Sequence, residues 1–533
     1  MSDYQIEFTM KTNFIKAFCI QILLFGTLTM VNGQTGVYTL NGGSDTQTGQ
    51  TFAATLTDES SVYVLNSGVL TLNSCVLTKT GNTSDINASS QYGLNAGLLV
   101  KSAGKVTITG TTITTNASGA NGIFATGTNS TIVMTGGFIN ASGSGAHGVD
   151  VTYGGIITTN NVDITTNDDN SSAIATDFGG GTVTINGGTI ITTNTVAGSH
   201  SAGIYSTGVI TVNDASVTSS ADAGGVIDGA NSIILNNTAL TGNTQGIKIH
   251  VTAPSTGDAT VTMSGGSLNV TNGDAFYFDG SSGNTAKGAV TVKEDATISA
   301  STGCLVNAVS PATANFTVQN SDLAGNIIST GSSTLNVSLL ESASLTGAIN
   351  NSNTATLVTL TMDCSSTWTV TANSHINGLI TNPCISGTSV SNITGNGNNV
   401  YYTTSANPSL NGLTYSLVSG GYLLPEGSSS INLIENNIFD LTISPNPFED
   451  VLNITIDLEN KSDLNCAITD ITGKTVYEVV FTGQPSGSNK LAINLSDKLP
   501  QGTYLFQVRV SSSNGSYRLC KKIIKPAHAR FAY

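Results

Sequence analysis

The hydrophobic positions of this chain recur in short strips rather than in long runs. A small residue followed by an apolar one returns at steps of 21 to 30 residues, at Gly97-Leu98, Gly122-Ile123, Gly148-Val149, Ala173-Ile174, Gly203-Ile204, Gly225-Val226, Gly246-Ile247, Ala275-Phe276 and Cys304-Leu305. A step of this variable length fits one turn of a β-solenoid, because strand lengths stay constant while loops absorb insertions.

Each turn contains two further strips. One alternates polar and apolar residues, as in Thr182-Val-Thr-Ile and Thr260-Val-Thr-Met, and a shorter one, such as Ile164-Thr-Thr-Asn, follows a Gly-Gly or Asn-Asn corner. Gly and Asn tolerate the left-handed backbone that such corners need. Three short strands per turn predict an all-β fold, a right-handed parallel β-helix. Roughly fifteen turns stacked about 4.8 Å apart would form a rod on the order of 70 Å long.

Charge limits what this surface can bind. The 533 residues include 18 Lys and Arg against 33 Asp and Glu, for a formal net charge of −15. The predicted rod has no arginine, and its only lysines are Lys79, Lys101, Lys105, Lys248, Lys287 and Lys293. Because nucleic-acid binding needs clustered Lys and Arg, the composition excludes nucleic acid as a partner.

The first 33 residues have the pattern of a secretory signal peptide. Two lysines precede the apolar run 17–28, and the small residues at 31–33 supply a cleavage site. Met10 is the better candidate for the start codon, because acidic residues precede it. No later run reaches the roughly twenty apolar residues that cross a bilayer. We therefore expect an exported chain that is not an integral membrane protein.

The regularity of the strips sets the expected domain boundaries. The less regular regions on either side are expected to cap the rod, since an open β-edge recruits other chains. The predicted order is a signal peptide at 1–33, an N-terminal cap at 34–96, the parallel β-helix at 97–389, a C-terminal cap and linker at 390–437, a separate domain at 438–526 and a tail at 527–533.

Several stretches of the rod resemble a widespread set of bacterial extracellular parallel β-helix proteins. They are Tyr92-Gly-Leu-Asn-Ala-Gly, Ser172-Ala-Ile-Ala-Thr-Asp-Phe, Ile204-Tyr-Ser-Thr-Gly and Ser365-Ser-Thr-Trp-Thr-Val-Thr. These pectin-lyase-like solenoids are often compared with autotransporter passengers and adhesins. The resemblance spans roughly Val37 to Pro425 and implies a surface-exposed rod without a settled biochemical activity.

The C-terminal region has a different character. Seven short alternating runs between 439 and 524 favour a small immunoglobulin-like β-sandwich. Four motifs, Ser444-Pro-Asn-Pro, Asp470-Ile-Thr-Gly-Lys, Leu499-Pro-Gln-Gly-Thr-Tyr and Lys521-Lys-Ile-Ile-Lys, resemble in order and spacing the type A C-terminal sorting domain of type IX secretion in Bacteroidetes. The residues that carry this resemblance are Pro445, Asn446, Pro447, Gly473, Lys474, Gly502, Tyr504, Lys521 and Lys522.

This second resemblance implies a delivery route. The signal peptide would take the chain across the inner membrane, and the sorting domain would direct it through the type IX translocon. A sortase commonly removes such a domain, and the protein is then released or attached to surface lipopolysaccharide. We therefore expect a secreted or outer-cell-surface protein. Such domains usually stop close to the final lysine, so the extension 526–533 is expected to weaken processing.

The cysteines predict neither a metal site nor a cofactor. Of the seven, Cys19 lies in the leader, and the spacing of the others matches no zinc or redox pattern. In an oxidising compartment two pairs are candidates for a disulfide, Cys364 with Cys384 and Cys466 with Cys520. The sequence leaves both open.

Parallel β-helices include pectate lyases and polygalacturonases, so catalysis has to be considered. Uronate lyases need a cationic base, commonly with calcium held by carboxylates, and a rod without arginine is poorly suited to that chemistry. A glycosidase needs two carboxylates about 5 to 9 Å apart. The weak candidates are Asp168 and Asp169, with His147 and Asp150 one turn earlier. Acids in an Asn/Ser loop are more often turn formers, and the Arg-x-Lys clamp of polygalacturonases is absent.

Two binding functions also suit the rod. Strips such as Thr107-Ile-Thr109 would bind ice only as a flat, regular lattice, and Thr is also the usual outward residue of a strand. A long polar face suits many weak contacts with glycans or neighbouring cells, although Trp368 is the only tryptophan available for stacking on sugars. The sequence hypothesis is a non-enzymatic, adhesin-like or structural display rod. A polysaccharide-active, polygalacturonase-like enzyme is the alternative, followed by an ice-binding protein.

Overall fold

The computed structural model describes residues 34–194, 200–253, 256–381, 384–427, 441–512 and 515–526. The predicted signal peptide, the tail at 527–533 and most of the linker lie outside the described residues. The chain divides into two compact units between Glu426 and Gly427. In the first unit, parallel strands wrap into a β-solenoid of about 15 turns. This finding confirms the predicted all-β solenoid.

The solenoid has three faces, each built from one strand per turn. The first face is a sheet of twelve parallel strands: Thr35–Asn41, Glu59–Leu65, Leu98–Lys101, Ile123–Thr126, Val149–Thr152, Ile174–Thr176, Ile204–Ser206, Gly225–Asp228, Gln245–His250, Asp274–Asp279, Cys304–Val309 and Asn326–Thr330.

The second face follows the alternating strips. Its strands are Ser44–Thr48, Val69–Asn73, Lys105–Asn116, Thr131–Ser142, Gly155–Asn160, Gly181–Asn186, Val209–Asn213, Ser232–Asn236, Ala259–Ser264, Ala286–Lys293, Ala312–Gln319, Thr334–Leu340, Leu357–Met362 and Gly378–Thr381. Lys105–Asn116 and Thr131–Ser142 are long enough to continue around the corner into the third face.

The third face holds the short strips. Besides the two shared strands it consists of Thr51–Ala54, Val76–Lys79, Asp163–Asn167, Thr189–Thr192, Ser216–Ser219, Ala239–Gly242, Ser267–Val270, Thr297–Ala300, Asp322–Ala324, Ser344–Gly347 and Thr367–Val370. The last turns add Ser374–Ile376, Ile385–Ser386, Ser389–Thr394, Val400–Tyr402, Tyr415–Val418 and Tyr422–Pro425, with 3-10 helices at Thr404–Ala406 and Pro408–Leu410.

Apolar side chains stack in register inside the rod. On the first face one inward column runs through Leu98, Ile123, Val149, Ile174, Ile204, Gly225, Ile247, Phe276, Val306 and Ile327. Two of the predicted pairs are therefore wrong by one position. Gly225 rather than Val226 occupies the inward column, and a bulge between Cys304 and Val306 places Val306 there instead of Leu305.

Steric crowding explains why a small residue precedes each inward apolar residue. A Cβ added to Gly122 would lie 2.5 Å from the carbonyl oxygen of Gly148, and one added to Gly148 would lie 2.7 Å from that of Ala173. The backbone of the next turn lies too close to this corner for a Cβ, so larger side chains are disfavoured. The corner before the third face differs, since Asn161, Asp214 and Asn237 have positive φ there, as the sequence predicted.

The ends of the solenoid differ from the predicted caps. Parallel pairing begins at Thr35, so the region 34–96 is made of regular turns rather than of an irregular cap. Its one departure is the helix α1, Ile86–Tyr92. At the other end, the strand Tyr415–Val418 pairs antiparallel with Tyr422–Pro425. Parallel stacking therefore gives way to a closing hairpin within the region predicted as the C-terminal cap.

Of the two candidate disulfides, the structure forms one. Cys364 and Cys384 are bonded, with Cα atoms 5.6 Å apart. Cys466 is a buried free thiol whose pKa is raised to about 12 by burial. The pairing of Cys466 with Cys520 is therefore not formed.

The second unit contains two antiparallel sheets, consistent with the predicted small β-sandwich. The first consists of Leu441–Ser444, Val451–Leu458 and Gly487–Asn494, and the second of Ser462–Thr469, Thr475–Gln484, Gly502–Ser512 and Gly515–Lys525. Their shared core includes Phe448, Leu452, Ile468 and Phe506. The seven strands correspond to the seven alternating runs in the sequence.

Candidate functional site

A groove of about 690 Å³ lies on the outer side of the first face. Its lining includes side chains from successive strands, and one of its edges is formed by α1. We use "the groove" for this cavity. The volume falls within the range typical of small-molecule binding sites.

Register brings the outward residues of the first face into two columns. The first column contains Asp150, Ala175, Tyr205, Val226 and Lys248 on consecutive turns. The second lies two residues further along each strand, where Asp228, His250 and Asp279 stack. Asp177 belongs to this second column, because it follows Thr176, which aligns with Ser206 and Ile227 on the next turns.

The helix α1 was not predicted, although the sequence contains its signals. Asp85 caps its N-terminus by accepting hydrogen bonds from the N–H groups of Asn87 at 2.9 Å and Ala88 at 3.2 Å. Gly93 ends it in the left-handed conformation with φ 70°. An Asp cap and a terminal Gly are ordinary helix signals. A seven-residue helix between two strands is nevertheless easy to miss in a repeat dominated by period-two alternation.

His147, which lines the groove, and Asp150, which is buried behind it on the same turn, have several atoms that lack a hydrogen-bond partner. His147 lines the groove, is 8% exposed and has an unpartnered Nδ1. Burial lowers the pKa of His147 to about 4, so the ring is neutral. Asp150 is fully buried, and neither carboxylate oxygen has a partner. Burial and then the charge of Asp177 raise the pKa of Asp150 well above its usual value, which favours the protonated acid.

Asp177 is one of two carboxylates that line the groove, the other being that of Asp222. It accepts a hydrogen bond from the Phe178 N–H at 2.9 Å. Burial raises the pKa of Asp177 to about 6, and the charge of Asp228 adds to the shift. The pKa of Tyr205 is also raised, first by burial and then by the charges of Asp177, Asp228 and Asp150. The charges of all three acids therefore act on one tyrosine.

The positive charge in the groove is already paired. Lys248 Nζ lies 2.7 Å from the Asp279 carboxylate. Next to it, His250 has a buried Nε2 without a partner, and burial lowers the pKa of His250. Asp228 accepts hydrogen bonds from the backbone N–H and the hydroxyl of Thr252, at 2.8 and 2.6 Å.

Aromatic rings gather beside this polar surface. Phe178 lines the groove and is 40% exposed. The Tyr153 N–H donates to the Phe178 carbonyl at 3.1 Å, and the rings of Tyr153 and Tyr92 stack with centroids 6.0 Å apart. The scarcity of tryptophan in the sequence gave no indication of these aromatic residues. They come from separate turns, so spacing along the chain does not show that they lie near one another.

The structure separates the four candidate catalytic residues. Asp168 and Asp169 are exposed on a corner loop and are not among the residues lining the groove. The Asp168 side chain accepts from the Asp169 N–H at 2.8 Å, as turn formers do. His147 lines the groove, whereas Asp150 is fully buried and does not. The candidate site residues predicted from the sequence did not include Asp177, Tyr205, Asp228 or His250. Among the described residues, no group of three or more His, Cys, Asp or Glu side chains is arranged to hold a metal ion.

In the C-terminal unit, the predicted motif residues build one small structure. Asn446 Nδ2 donates to the Lys522 carbonyl at 2.8 Å, and Asn446 Oδ1 accepts from the Ile524 N–H at 2.9 Å. The Pro445-Asn446-Pro447 turn is thereby attached to the final strand. Lys521 and Lys522 are exposed on that strand.

The other two motifs are also local structures. The Asp470 carboxylate accepts from the N–H groups of Thr472 and Lys474 at 2.9 and 3.1 Å, and Gly473 has φ 85° in the resulting hairpin turn. At the start of the strand Gly502–Ser512, the buried Tyr504 donates its hydroxyl to the Pro500 carbonyl at 2.7 Å.

Residues 442–525 match the model of the family described as the secretion system C-terminal sorting domain. The C-terminal unit is a type IX sorting domain. The sorting domain directs the protein to the extracellular space or the cell surface and implies an interaction with the type IX secretion machinery. No curated protein matches the chain. Within the described residues, no helix has the length and apolar character needed to cross a membrane.

Proposed function

We propose that this protein is a non-enzymatic, adhesin-like rod that the type IX system delivers to the cell surface, and that its groove binds extracellular glycans. The observation that carries the proposal is the groove itself, which is lined by unpartnered polar atoms of His147 and His250 and by the exposed ring of Phe178. Apolar surface with a few convergent polar groups is typical of small-ligand sites. The sortase and surface lipopolysaccharide are the partners proposed for attachment.

The experiment is to fill the groove and measure binding. Val226 points outward into it, between Tyr205 and Lys248, so Val226→Phe should block a ligand while leaving the inward column intact. The matched control is Val209→Phe, because Val209 is an outward, 40% exposed valine on the second face. We expect Val226→Phe to abolish binding to whole cells and to glycan arrays, and Val209→Phe to leave it unchanged. Equal binding by both variants would contradict the proposal.

A second candidate is a glycan-cleaving enzyme, and a specific observation favours it. Asp177 and Asp228 stand in one column two turns apart, which places their backbones about 9 to 10 Å from each other. Inverting glycosidases hold their carboxylates about 6.5 to 9.5 Å apart, and a pKa near 6 suits a general acid. Turnover of any glycan that Asp177→Asn abolishes would replace the adhesin proposal with this one. Uronate polymers are the least suitable substrates, because these acids would repel them.

Ice binding receives less support. On the second face Thr158, Thr184 and Thr211 align in one outward column, but Ile234 occupies the next position and interrupts the hydroxyls.

A further inference from the structure

The groove has an excess of negative charge. Asp177 faces it, and no Lys, Arg or His of the described residues forms an ion pair with that carboxylate. Lys248 is paired with Asp279, so it offers little net charge to a ligand. The carboxylate of Asp177 is therefore available to attract a cation, whereas Asp228 accepts hydrogen bonds from Thr252 and does not line the groove.

The groove also contains polar atoms that no protein group satisfies. His147 is more than nine-tenths buried, and its Nδ1 has no partner. Nε2 of His250, four turns away, is also buried and unpartnered. Buried polar atoms are nearly always hydrogen-bonded in folded proteins. Two such atoms lining one cavity indicate a ligand that bears hydrogen-bonding groups.

Aromatic surface adjoins the acids. Phe178 follows Asp177 in sequence and exposes its ring at the groove, and Tyr205 lies on the next turn. A cation is attracted to the face of such rings as well as to carboxylates. An ammonium group on a sugar would interact with both the carboxylate and the aromatic ring, while the sugar ring covered the apolar surface.

We infer that the groove binds saccharides that carry protonated amino groups, with an ammonium beside Asp177 and a sugar ring against Phe178. The inference rests on the proposed function and names its ligand class. Neutral sugars would leave the acids uncompensated, and uronates would be repelled.

Binding should therefore depend on pH. Asp150 and Asp228 interact with Asp177 through their charges. The other ionisable groups that line the groove are His147, His200, Tyr205, Asp222, Lys248 and His250. Because the pKa of Asp177 is about 6, affinity should increase from pH 5 to pH 7, provided that the amine stays protonated.

The test compares three hexasaccharides with the mature full-length protein by titration calorimetry at pH 7. They are a glucosamine oligomer, its fully N-acetylated form and a neutral glucose oligomer. We expect the glucosamine oligomer to bind at least tenfold more tightly than the others. Asp177→Asn should remove that preference, while Asp295→Asn, which neutralises an exposed acid on another corner, should keep it. Val226→Phe should abolish binding, whereas nonspecific attraction to an acidic rod would survive this substitution.

The outcomes separate the two proposals. Equal affinity for the three oligomers would overturn the amino-sugar inference and leave glycan binding in the groove intact. If the glucosamine oligomer did not bind but Val226→Phe still reduced binding to whole cells, the amino-sugar inference would also be overturned and the proposed glycan-binding groove would stand. Tight glucosamine binding that Val226→Phe does not affect would place the ligand elsewhere and overturn the inference.

Discussion

Asn446 and Ile524, 78 residues apart, are joined by a hydrogen bond in which the Ile524 N–H donates to Asn446 Oδ1 at 2.9 Å. The same side chain donates to the Lys522 carbonyl. A single amide thus satisfies one donor and one acceptor of the last strand. The first and last sorting motifs are consequently parts of one structure.

Asn446→Ala should destabilise the sorting domain by about 1 to 3 kcal/mol, because both strand groups lose their partner. Thermal unfolding of the full chain should show an earlier transition for this domain, and less protein should reach the medium. Asn453→Ala is the control, since Asn453 is exposed on a neighbouring strand. Similar losses of stability and export in both variants would mean that the hydrogen bonds of Asn446 to the last strand have no special role.

Lys521 and Lys522 are exposed, so they are available to the secretion machinery rather than to the core. Lys521→Glu with Lys522→Glu should leave thermal stability within about 0.5 kcal/mol, as for most surface changes, and should reduce export severalfold. Lys490→Glu reverses an exposed charge on the other sheet of the domain. Fractionation of cells and medium would measure export, and we expect Lys490→Glu to be exported like the wild type. Equal export of the wild type, the double variant and Lys490→Glu would argue against a recognition role for Lys521 and Lys522.

The disulfide between Cys364 and Cys384 closes a segment of 20 residues. Replacing both cysteines with serine should lower the stability of the solenoid by roughly 3 kcal/mol, through the greater freedom of the unfolded chain. A reducing agent should lower the melting temperature of the wild type and leave that of the double variant unchanged. If reduction affected both equally, the bond would not be the source of the stabilisation.

Asp177 should make the solenoid less stable as pH rises. Its pKa is about 6 in the folded state, against an ordinary value of 3.8 for an aspartate. Its favourable contribution is therefore complete below pH 3.8 and is lost as pH rises through 6. Asp150 acts in the same direction. Asp177→Asn should raise stability at pH 7.5 by about 1 to 3 kcal/mol and have little effect at pH 4, measured by thermal melts. Asp295→Asn is the matched control. A destabilised Asp177→Asn at pH 7.5 would refute this account.

The repeat was predictable because period-two alternation and small corner residues are local properties of the sequence. The one-position errors at Gly225 and Leu305 arose where that local pattern is ambiguous. A Gly-Gly corner does not show which glycine aligns with its neighbours, and a bulge shifts the register without a marker.

The groove was much harder to predict. Asp177, Asp228 and His250 come from three turns whose loops differ in length, and only the register between strands aligns them. Asp168 and Asp169 were candidate catalytic residues because they are two adjacent acids in the sequence, but both lie in an exposed loop outside the groove. The sorting motifs were predictable since each is a compact turn or strand end.

The second face contains a row of asparagines that bears on how the turns are aligned. Asn186 donates to Asn160, Asn213 to Asn186 and Asn236 to Asn213, at 2.9, 2.8 and 2.7 Å. A slip of one residue would place each amide opposite the wrong neighbour and break this series. The asparagines therefore penalise misaligned turns independently of loop length. Insertions and deletions in the corner loops can therefore change the groove without changing the register between successive turns.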